Sequence, residues 1–455
     1  MFSRAVGALA AVAVVVPSCQ PGCEPEPPGP PGSTTTTAPA EPSTTTVPTT
    51  TAPSAGIVSV TIEGQGSGHG RGLSAWGNYG SAVTLGWSWQ QILDHYYGGT
   101  SAGSAANTPI GIRLVALDGA AATGVVSTTA QATWNGVQAS SLQAREIGPN
   151  TYSIYSAPDL RCPSTVDGWA LVANGVAGPI TFSTPVEETT GAAGDVLGLC
   201  QANGSVIHYR GTITATNDGS GNNRTVNRTL MENYLRGVLS REVSTSWGNA
   251  GGGAGMDALR AQSVAARSFA LSQNRYPSYG AQTCDTTSCQ VYGGAAHRAT
   301  PTAAISQPGR FRICETGNDT FECANTDRGI VETAGVIRVW PNGNVVSTEY
   351  SASHGPYSAG GPFPSVDDTA SDVPGNPSYQ WTRSIDAAAI ATRYQLGELT
   401  AASTEPDPNT PYVEVWDHRV RLVGSLRTVV VSGWDFRNAF DLPSPGFTIT
   451  GVVTG

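Results

Sequence analysis

A helix, a glycine-rich break and a second helix between residues 230 and 271 constrain this chain more than any other stretch. Apolar residues recur every three or four positions from Leu230 to Leu239, which predicts a helix that is buried along one face. Glycine-rich residues 248–255 then break the chain, and an alanine-rich helix is predicted from about Met256. Its side chains are small on nearly every side, which indicates that it packs in the centre of the fold.

Glu242 falls at the last turn of the first predicted helix. The partial negative charge of a helix C-terminus disfavours an ionised carboxylate, and desolvation does the same, so both effects are expected to raise the pKa of Glu242. A raised pKa suits a general acid. In the second helix, Arg260 and Arg267 lie on one line at helical spacing and are expected to point the same way.

Three motifs carry a resemblance to a known family. YLRGVLSREV (234–243), ALRAQSVAARSFAL (258–271) and CDTTSCQVYGG (284–294) resemble, in this order, the catalytic domain of stage II sporulation protein D, the SpoIID/LytB family. Its founding members are lytic transglycosylases of bacterial cell-wall glycan, and the glutamate after the first helix is their catalytic acid. Glu242 occupies the matching position.

A glycine-rich segment at 64–100 resembles the motif that closes this domain in typical family members. Ser74, Trp76 and Gly77 match that motif. Residues 432–451 resemble the segment that usually comes just before it, yet here they end the chain. The order predicts a circularly permuted member whose first strand, near Val58–Glu63, lies beside its last, near Phe447–Val453.

The family resemblance and the side-chain chemistry together predict which residues contact the substrate. Arg267 is expected either to bind an N-acetyl or lactyl group or to form an internal ion pair, and Arg260 stands where the family commonly has lysine. For Trp76, stacking on a sugar and packing in the core are equal alternatives. The histidines in the glycine-rich loops are candidates for polarising the C6 hydroxyl or orienting the acid. The predicted substrate-binding residues are Arg260, Gln262, Arg267, Asp285, Gln290, Tyr292, Ser353, His354, His69 and Trp76.

The rest of the chain predicts an α+β fold, a β-rich frame of antiparallel strands around two central helices. Alternating patterns with Gly, Asn and Asp turns run from Pro109 to Ala215, where residues 128–200 could form an inserted β subdomain. Residues 81–97 are predicted to be one helix. Residues 330–340 and 344–353 are predicted to form a strand pair around Pro341-Asn342-Gly343.

The N-terminal region predicts export. Residues 1–18 have the positive start and short apolar core of a signal peptide, and residues 19–55 form a Pro/Thr-rich disordered tether before a domain that spans 56–455. A secreted or cell-envelope location is therefore expected. Lipid anchoring at Cys19 is an alternative, and it would be the chain's only expected tie to a membrane.

Composition excludes several classes of function. The net charge is −10, which argues against a nucleic-acid partner. All 24 basic residues are arginines, so no lysine is present for a Schiff base or a P-loop.

Apart from Cys19 and Cys23, the chain has six cysteines, an even number that favours disulfides in an oxidising compartment. Short separations favour the pairs Cys284–Cys289 and Cys314–Cys323, leaving Cys162 with Cys200, although six cysteines allow about fifteen pairings. No cofactor is expected. A weaker alternative is zinc held by Cys284, Cys289 and His297, because some family members bind zinc beside the site.

The resemblance implies cleavage of the MurNAc–GlcNAc β-1,4 bond in peptide-stripped glycan strands, with Glu242 as the single acid and base. The expected partners are peptidoglycan strands and a cell-wall amidase. The competing hypothesis is a non-catalytic wall-binding module or amidase enhancer, a role assigned to other members of the family.

Overall fold

The computed structural model describes residues 56–129, 131–185, 188, 196–219, 222–306, 321–408 and 415–455. The predicted signal peptide, the predicted tether, Cys19 and Cys314 lie outside the described residues, as does the side chain of Cys323. Those predictions therefore remain predictions. None of the helices in the described part of the chain is long and apolar enough to cross a bilayer.

Seven α-helices occur in the described residues, and the two that the sequence placed at the centre are both present. The helices are α1 (Ala75–Val83), α2 (Trp89–Tyr96), α3 (Met231–Glu242), α4 (Met256–Ser272), α5 (Phe321–Glu332), α6 (Ala387–Tyr394) and α7 (Gly433–Phe440).

Short strands make up most of the remaining regular structure. They are β1 (Ile57–Gln65), β2 (Leu73–Ser74), β3 (Ser101–Ser104), β4 (Pro109–Arg113), β5 (Ala122–Val126), β6 (Ala132–Trp134), β7 (Val137–Ala139), β8 (Ser141–Gly148), β9 (Thr151–Ala157), β10 (Ala170–Ala177), β11 (Ile180–Phe182), β12 (Leu197–Cys200), β13 (Val206–Tyr209), β14 (Thr212–Thr216), β15 (Arg224–Leu230), β16 (Thr283–Cys284), β17 (Ala296–Arg298), β18 (Ile305–Ser306), β19 (Val336–Val339), β20 (Tyr350–Ser351), β21 (Gln380–Asp386), β22 (Leu399–Pro406), β23 (His418–Gly424), β24 (Thr428–Ser432) and β25 (Phe447–Thr454).

The strands form several small sheets. The largest has the order β10-β9-β8-β5-β12-β13-β17-β18, and a second has the order β11-β14-β15-β4-β16. Two three-stranded sheets have the orders β21-β1-β25 and β22-β23-β24, and all their strands except β1 come from residues 380–454. Among the named strands, only the pairs β16–β4 and β2–β20 are parallel. The α+β class and the antiparallel, β-rich frame are thus confirmed.

Helix α4 lies at the centre because its side chains are small enough to pack on every side. It contacts α1, α2, α3 and α5. Ala261 and Ala265 are fully buried, and the hydroxyls of Ser263 and Ser268 each donate to the carbonyl four residues earlier, at 2.7 Å. Buried serines satisfied within their own helix leave its surface effectively apolar, so other elements can approach closely.

The first and last strands are neighbours. Strand β1 lies between β21 and β25, and Val60 pairs with Val452 in the antiparallel ladder. This is the adjacency that a circular permutation requires, since the two ends of the domain meet in one sheet.

Residues 128–200 contribute strands β6 to β12, but they do not form a separate subdomain. Strands β8, β9, β10 and β12 share the eight-stranded sheet with β17, which comes much later in the chain. The predicted insertion is therefore built into the main sheet.

Two disulfides join the pairs that the sequence favoured in the described region. Cys162 bonds to Cys200 across a sequence separation of 38, and Cys284 bonds to Cys289 across a separation of 5. The first ties the segment after β9 to the end of β12. The second closes the loop that begins at β16.

Removing the first disulfide should cost more stability than removing the second. Closing a longer loop removes more conformational entropy from the unfolded chain, so replacing Cys162 and Cys200 by serine is expected to lower the free energy of unfolding by about 4 kcal/mol. Replacing Cys284 and Cys289 is expected to cost about 2 kcal/mol by the same relation. Urea unfolding of the two double variants measures this, and a reversed order would contradict it.

Candidate active site

Glu242 is the last residue of α3, where the chain leaves the helix in an extended conformation at Val243. The residue keeps partial solvent exposure. One carboxylate oxygen accepts a hydrogen bond from the backbone amide of Val291 at 2.9 Å, and the Tyr350 hydroxyl donates a second bond to the carboxylate. The acid is thus held by two segments that come later in the chain.

Burial raises the pKa of Glu242 to about 7. The hydrogen bonds from Val291 and Tyr350 favour the charged form and offset part of this effect. The direction is the one predicted from the sequence, with desolvation as the main cause. A carboxyl group with this pKa holds its proton in a large fraction of molecules at neutral pH, and it ionises easily once the proton is used.

The orientation of Tyr350 is set by a chain of hydrogen bonds through Gln290. The Tyr234 hydroxyl donates to Gln290 Oε1 at 2.9 Å, and Gln290 Nε2 donates to the Tyr350 hydroxyl oxygen at 2.9 Å. Gln290 Nε2 also donates to the carbonyl of Ala266 at 3.2 Å, and because a carbonyl can only accept, this contact fixes which end of the amide is which. The Tyr350 proton is therefore directed at Glu242.

His69 lies on the opposite side of Tyr350, brought there by the parallel pairing of β2 with β20. Its Nδ1 accepts from the Arg71 amide at 3.0 Å and lies 3.1 Å from the Ser351 hydroxyl. Its ring also bonds to the backbone of Tyr350. Burial and the nearby Arg71 charge lower the pKa of His69 to about 4, so the ring is neutral at physiological pH.

Arg267 is held in the interior by an ion pair, the second of its two alternatives. It is 1% exposed, and its guanidinium forms a two-pronged ion pair with Glu232 at 2.9 and 2.7 Å. It also donates to the carbonyl of Val336 at 3.0 Å. The internal ion pair, the second alternative, is what the structure shows.

Arg260 also forms ion pairs within the protein. It pairs with Glu332 at 2.6 Å and with Asp257 at 3.1 Å, on the side of α4 that faces α5. Both arginines contact α5, Arg260 through Glu332 and Arg267 through the carbonyl of Ile330, as expected if the two side chains share one direction.

Three residues of the 284–294 motif have supporting roles in place of the predicted sugar contacts. Gln290 is buried and orients Tyr350, as described above. The Tyr292 hydroxyl donates to Asn227 at 2.8 Å and the ring packs against Tyr234, which places it in the core. Asp285 accepts from the Val115 amide at 2.9 Å and so anchors the disulfide loop, while burial raises its pKa to about 6.

Ser353 and His354 are also buried, and their contact with substrate stays a prediction. Ser353 accepts a bond from Asn376 at 3.1 Å within the loop. His354 lies against Asp368, with Nδ1 and Oδ2 3.8 Å apart, and burial lowers its pKa to about 3. Both residues shape the loop that follows Tyr350.

Trp76 packs in the core, the second of its two alternatives. Its ring centroid lies 5.1 Å from that of Trp247, and both rings belong to a cluster with Val243, the residue after Glu242. The cluster closes the end of α3 and thereby fixes where the acid emerges.

Gln262 is fully buried on α4, one turn before Ala266, and in the described part of the chain neither end of its amide has a hydrogen-bond partner. Ala266 and Phe269 share this face of α4, and they meet Gln290 and Tyr350 respectively. An unsatisfied buried amide costs free energy unless a ligand or water completes it. Gln262 therefore remains a predicted substrate-contacting residue.

Cys284 and Cys289 are bonded to each other, so their sulfurs are not available as zinc-binding thiolates. Within the described ranges, no group of three or more His, Cys, Asp or Glu side chains is arranged to hold a metal ion.

Sequence reasoning missed Tyr350 and the Val291 amide as partners of the acid. In the sequence, Tyr350 was only part of the predicted strand 344–353, with no signal that its hydroxyl would reach Glu242. Val291 acts through its backbone, which no residue pattern reports.

The geometry defines a candidate general-acid site, a largely desolvated carboxyl group with a raised pKa at a helix end in a β-rich frame. Residues 219–340 match the family described as "SpoIID: Stage II sporulation protein". The amidase enhancer of Bacillus subtilis (strain 168) is 28% identical over 123 residues, which are 27% of this chain and 12% of that protein. No solved structure matches the chain significantly. The residues that are similar to the SpoIID family include α3, α4 and Glu242, whereas His69 and Tyr350 lie outside the matched residues.

Removal of the Tyr350 hydroxyl is expected to raise the pKa of Glu242 further, because the lost bond favours the charged form. If the protein cleaves glycan with Glu242 as the acid, as proposed below, wild-type cleavage should decline as pH rises through about 7, where Glu242 loses its proton. In Tyr350→Phe, the pH of this decline should move upward by roughly one unit. The pH–rate profile measures this shift. Tyr357→Phe, at a tyrosine that is 51% exposed, is the control. If the rate of Tyr350→Phe declined at the same pH as that of the wild type, or at a lower pH, the assigned hydrogen bond would be contradicted.

Proposed function

We propose that this protein is a peptidoglycan lytic transglycosylase that cleaves the MurNAc–GlcNAc β-1,4 bond with Glu242 as its single acid and base. The observation that carries the proposal is the Glu242 carboxyl group itself, partly exposed at a helix end, with its pKa raised to about 7 by burial. The match of residues 219–340 to the SpoIID family supports the choice of substrate class.

In the first half of the reaction, protonated Glu242 transfers its proton to the glycosidic oxygen as the bond from that oxygen to C1 of MurNAc breaks. The GlcNAc hydroxyl leaves, and positive charge develops at C1 and the ring oxygen. The Glu242 carboxylate that results stabilises this charge, and the Val291 amide and Tyr350 hydroxyl stabilise the carboxylate.

In the second half, the Glu242 carboxylate accepts the proton of the C6 hydroxyl while O6 bonds to C1. The 1,6-anhydro ring forms, Glu242 regains its proton, and no water is consumed. A glycoside hydrolase generally needs two carboxylates because it must handle a water or a covalent intermediate. One acid whose pKa lies near the working pH suffices here.

Reaction in water enriched in ¹⁸O separates this proposal from hydrolysis. Peptide-free glycan strands incubated with the protein should yield fragments with anhydro ends that carry no ¹⁸O. Reducing ends labelled with ¹⁸O would show hydrolysis and would exclude the transglycosylase proposal.

A second candidate function, stimulation of a cell-wall amidase, follows from the printed name of the Bacillus subtilis relative. Under this alternative the chain binds glycan and increases the rate of stem-peptide removal by a separate amidase. The Glu242→Gln variant discriminates the two roles. Stimulation that is equal for wild type and variant, with no anhydro ends from either, would favour the alternative.

A further inference from the structure

A small cavity lies between the loop that carries His69 and the C-terminal part of the chain. Its volume is about 80 Å³, and its walls include His69, Arg71, Trp416, Asp417 and Trp434. Two or three water molecules in the liquid occupy a similar volume, so the cavity suits a group of a few heavy atoms rather than a whole sugar ring.

The tryptophan walls are firmly held. Trp416 is 2% exposed, and its indole nitrogen donates to the Tyr357 carbonyl at 3.0 Å. A Cβ atom on Gly70 would lie 2.6 Å from the Trp416 ring, so glycine at this position lets the ring pack against the backbone. Trp434 is partly exposed, and the Arg437 guanidinium lies 5.4 Å from its ring. The apolar walls are therefore formed before any ligand arrives.

The polar walls carry opposite charges. Arg71 forms a two-pronged ion pair with Glu349 at 2.9 and 3.0 Å, which fixes the plane of its guanidinium. Asp417 is partly exposed, and the Arg71 charge is near enough to act on it. The cavity thus presents an acceptor, a donor group and two indole surfaces.

The cavity adjoins the proposed catalytic acid through His69. His69 lines it and also contacts Ser351, the neighbour of Tyr350, whose hydroxyl donates to Glu242. A chain of neighbouring residues, His69, Ser351 and Tyr350, therefore links the cavity to Glu242.

We infer that this cavity binds the 2-acetamido group of an amino sugar in the bound glycan strand, so that it distinguishes N-acetylated from de-N-acetylated strands. The methyl group packs on the indole rings, the amide N–H donates to Asp417, and the carbonyl oxygen faces Arg71. The inference rests on the proposed function for its substrate, and Trp416, Asp417 and Trp434 lie outside the residues that match the SpoIID family.

The test is binding by the full chain carrying Glu242→Gln, so that cleavage does not interfere. Calorimetry compares a tetramer of N-acetylglucosamine with a tetramer of glucosamine at fixed pH and ionic strength. The acetylated tetramer is expected to bind about tenfold or more tightly, since a site built to hydrogen-bond a group rejects the analogue that lacks it. Adding Asp417→Asn or Trp434→Ala should reduce this preference to about threefold or less.

Trp169→Ala, at a partly exposed tryptophan in the region between β9 and β10, is the matched control and should leave the preference unchanged. Thermal unfolding of each variant verifies that it is folded. Equal affinity for the two tetramers, or an unchanged preference in folded Asp417→Asn, would overturn the inference. If wild type releases no anhydro ends while the preference persists, the proposed catalysis fails and the acetamido site stands. If wild type cleaves acetylated and de-N-acetylated strands equally well, the site fails and the catalysis stands.

Discussion

Glu242→Gln is expected to lower the rate of anhydro-end formation by about a thousandfold, since general acid–base catalysis contributes about 10²–10⁴ and one residue serves both half-reactions here. The amide is close in shape to the acid and can still accept a bond from the Val291 amide. Affinity for glycan should therefore change little. Rates from chromatography of released fragments and affinities from calorimetry test both parts, with Glu63→Gln, at an exposed acid on β1, as the control.

The same substitution should stabilise the fold at neutral and alkaline pH. The folded-state pKa of Glu242 is raised to about 7, above its ordinary value of 4.5, so folding favours the protonated form. The stability of the wild type should accordingly fall as pH rises from about 4.5 to about 7, and Glu242→Gln should lack this loss. Urea unfolding at pH 4 and pH 8 checks the sign. A variant less stable than wild type at pH 8 would contradict the buried-acid account.

Arg267→Leu is expected to lower the free energy of unfolding by about 3–5 kcal/mol, the cost of leaving one partner of a buried ion pair alone. Glu232, whose side chain is 17% exposed, would lose both of its bonds to the guanidinium, and the Val336 carbonyl would lose a donor. Urea unfolding with a fluorescence readout measures the loss. The double variant Arg267→Leu with Glu232→Leu should recover part of it, because no unpaired charge then remains.

Arg260→Leu is the matched control on the same helix. Arg260 is 19% exposed and pairs near the surface with Glu332, so its replacement should cost about 1 kcal/mol or less. If Arg267→Leu were as stable as wild type but failed to bind glycan, the internal ion-pair assignment would be wrong and substrate contact would be favoured.

The sequence predicted the elements that depend on local pattern. Helices α3 and α4, the antiparallel frame, the adjacency of β1 and β25 and two disulfides follow from periodicity, spacing and motif order. Residues 81–97 were predicted as one helix, but Gly86 adopts a φ of +67° and separates α1 from α2. Ile92, Leu93 and Tyr96 face inward as expected.

The sequence predicted that strands 330–340 and 344–353 pair around residue 341. The start of the first strand is wrong, because residues 330–332 complete helix α5. Strand β19 pairs with β3 instead, and only a single bridge joins Val339 to Val345. The sequence did not predict α5, which supplies Glu332, the ion-pair partner of Arg260.

Residue type alone did not predict which candidate side chains would be buried. Tyr292, Ser353 and His354 have side chains suited to sugars, yet each is enclosed by contacts between segments distant in sequence. Tyr350 reaches Glu242 by the same kind of long-range packing. Residue type reports what a side chain can bind, whereas access depends on the assembled fold.

Mass spectrometry of peptide-free glycan strands after incubation with the wild-type protein and with Glu242→Gln tests directly whether Glu242 catalyses formation of anhydro ends. We expect 1,6-anhydro-muramyl ends from the wild type and none from the variant, with both proteins binding the strands. Absence of cleavage by both proteins, with equal binding, would contradict the account and leave the wall-binding or amidase-enhancing role in its place.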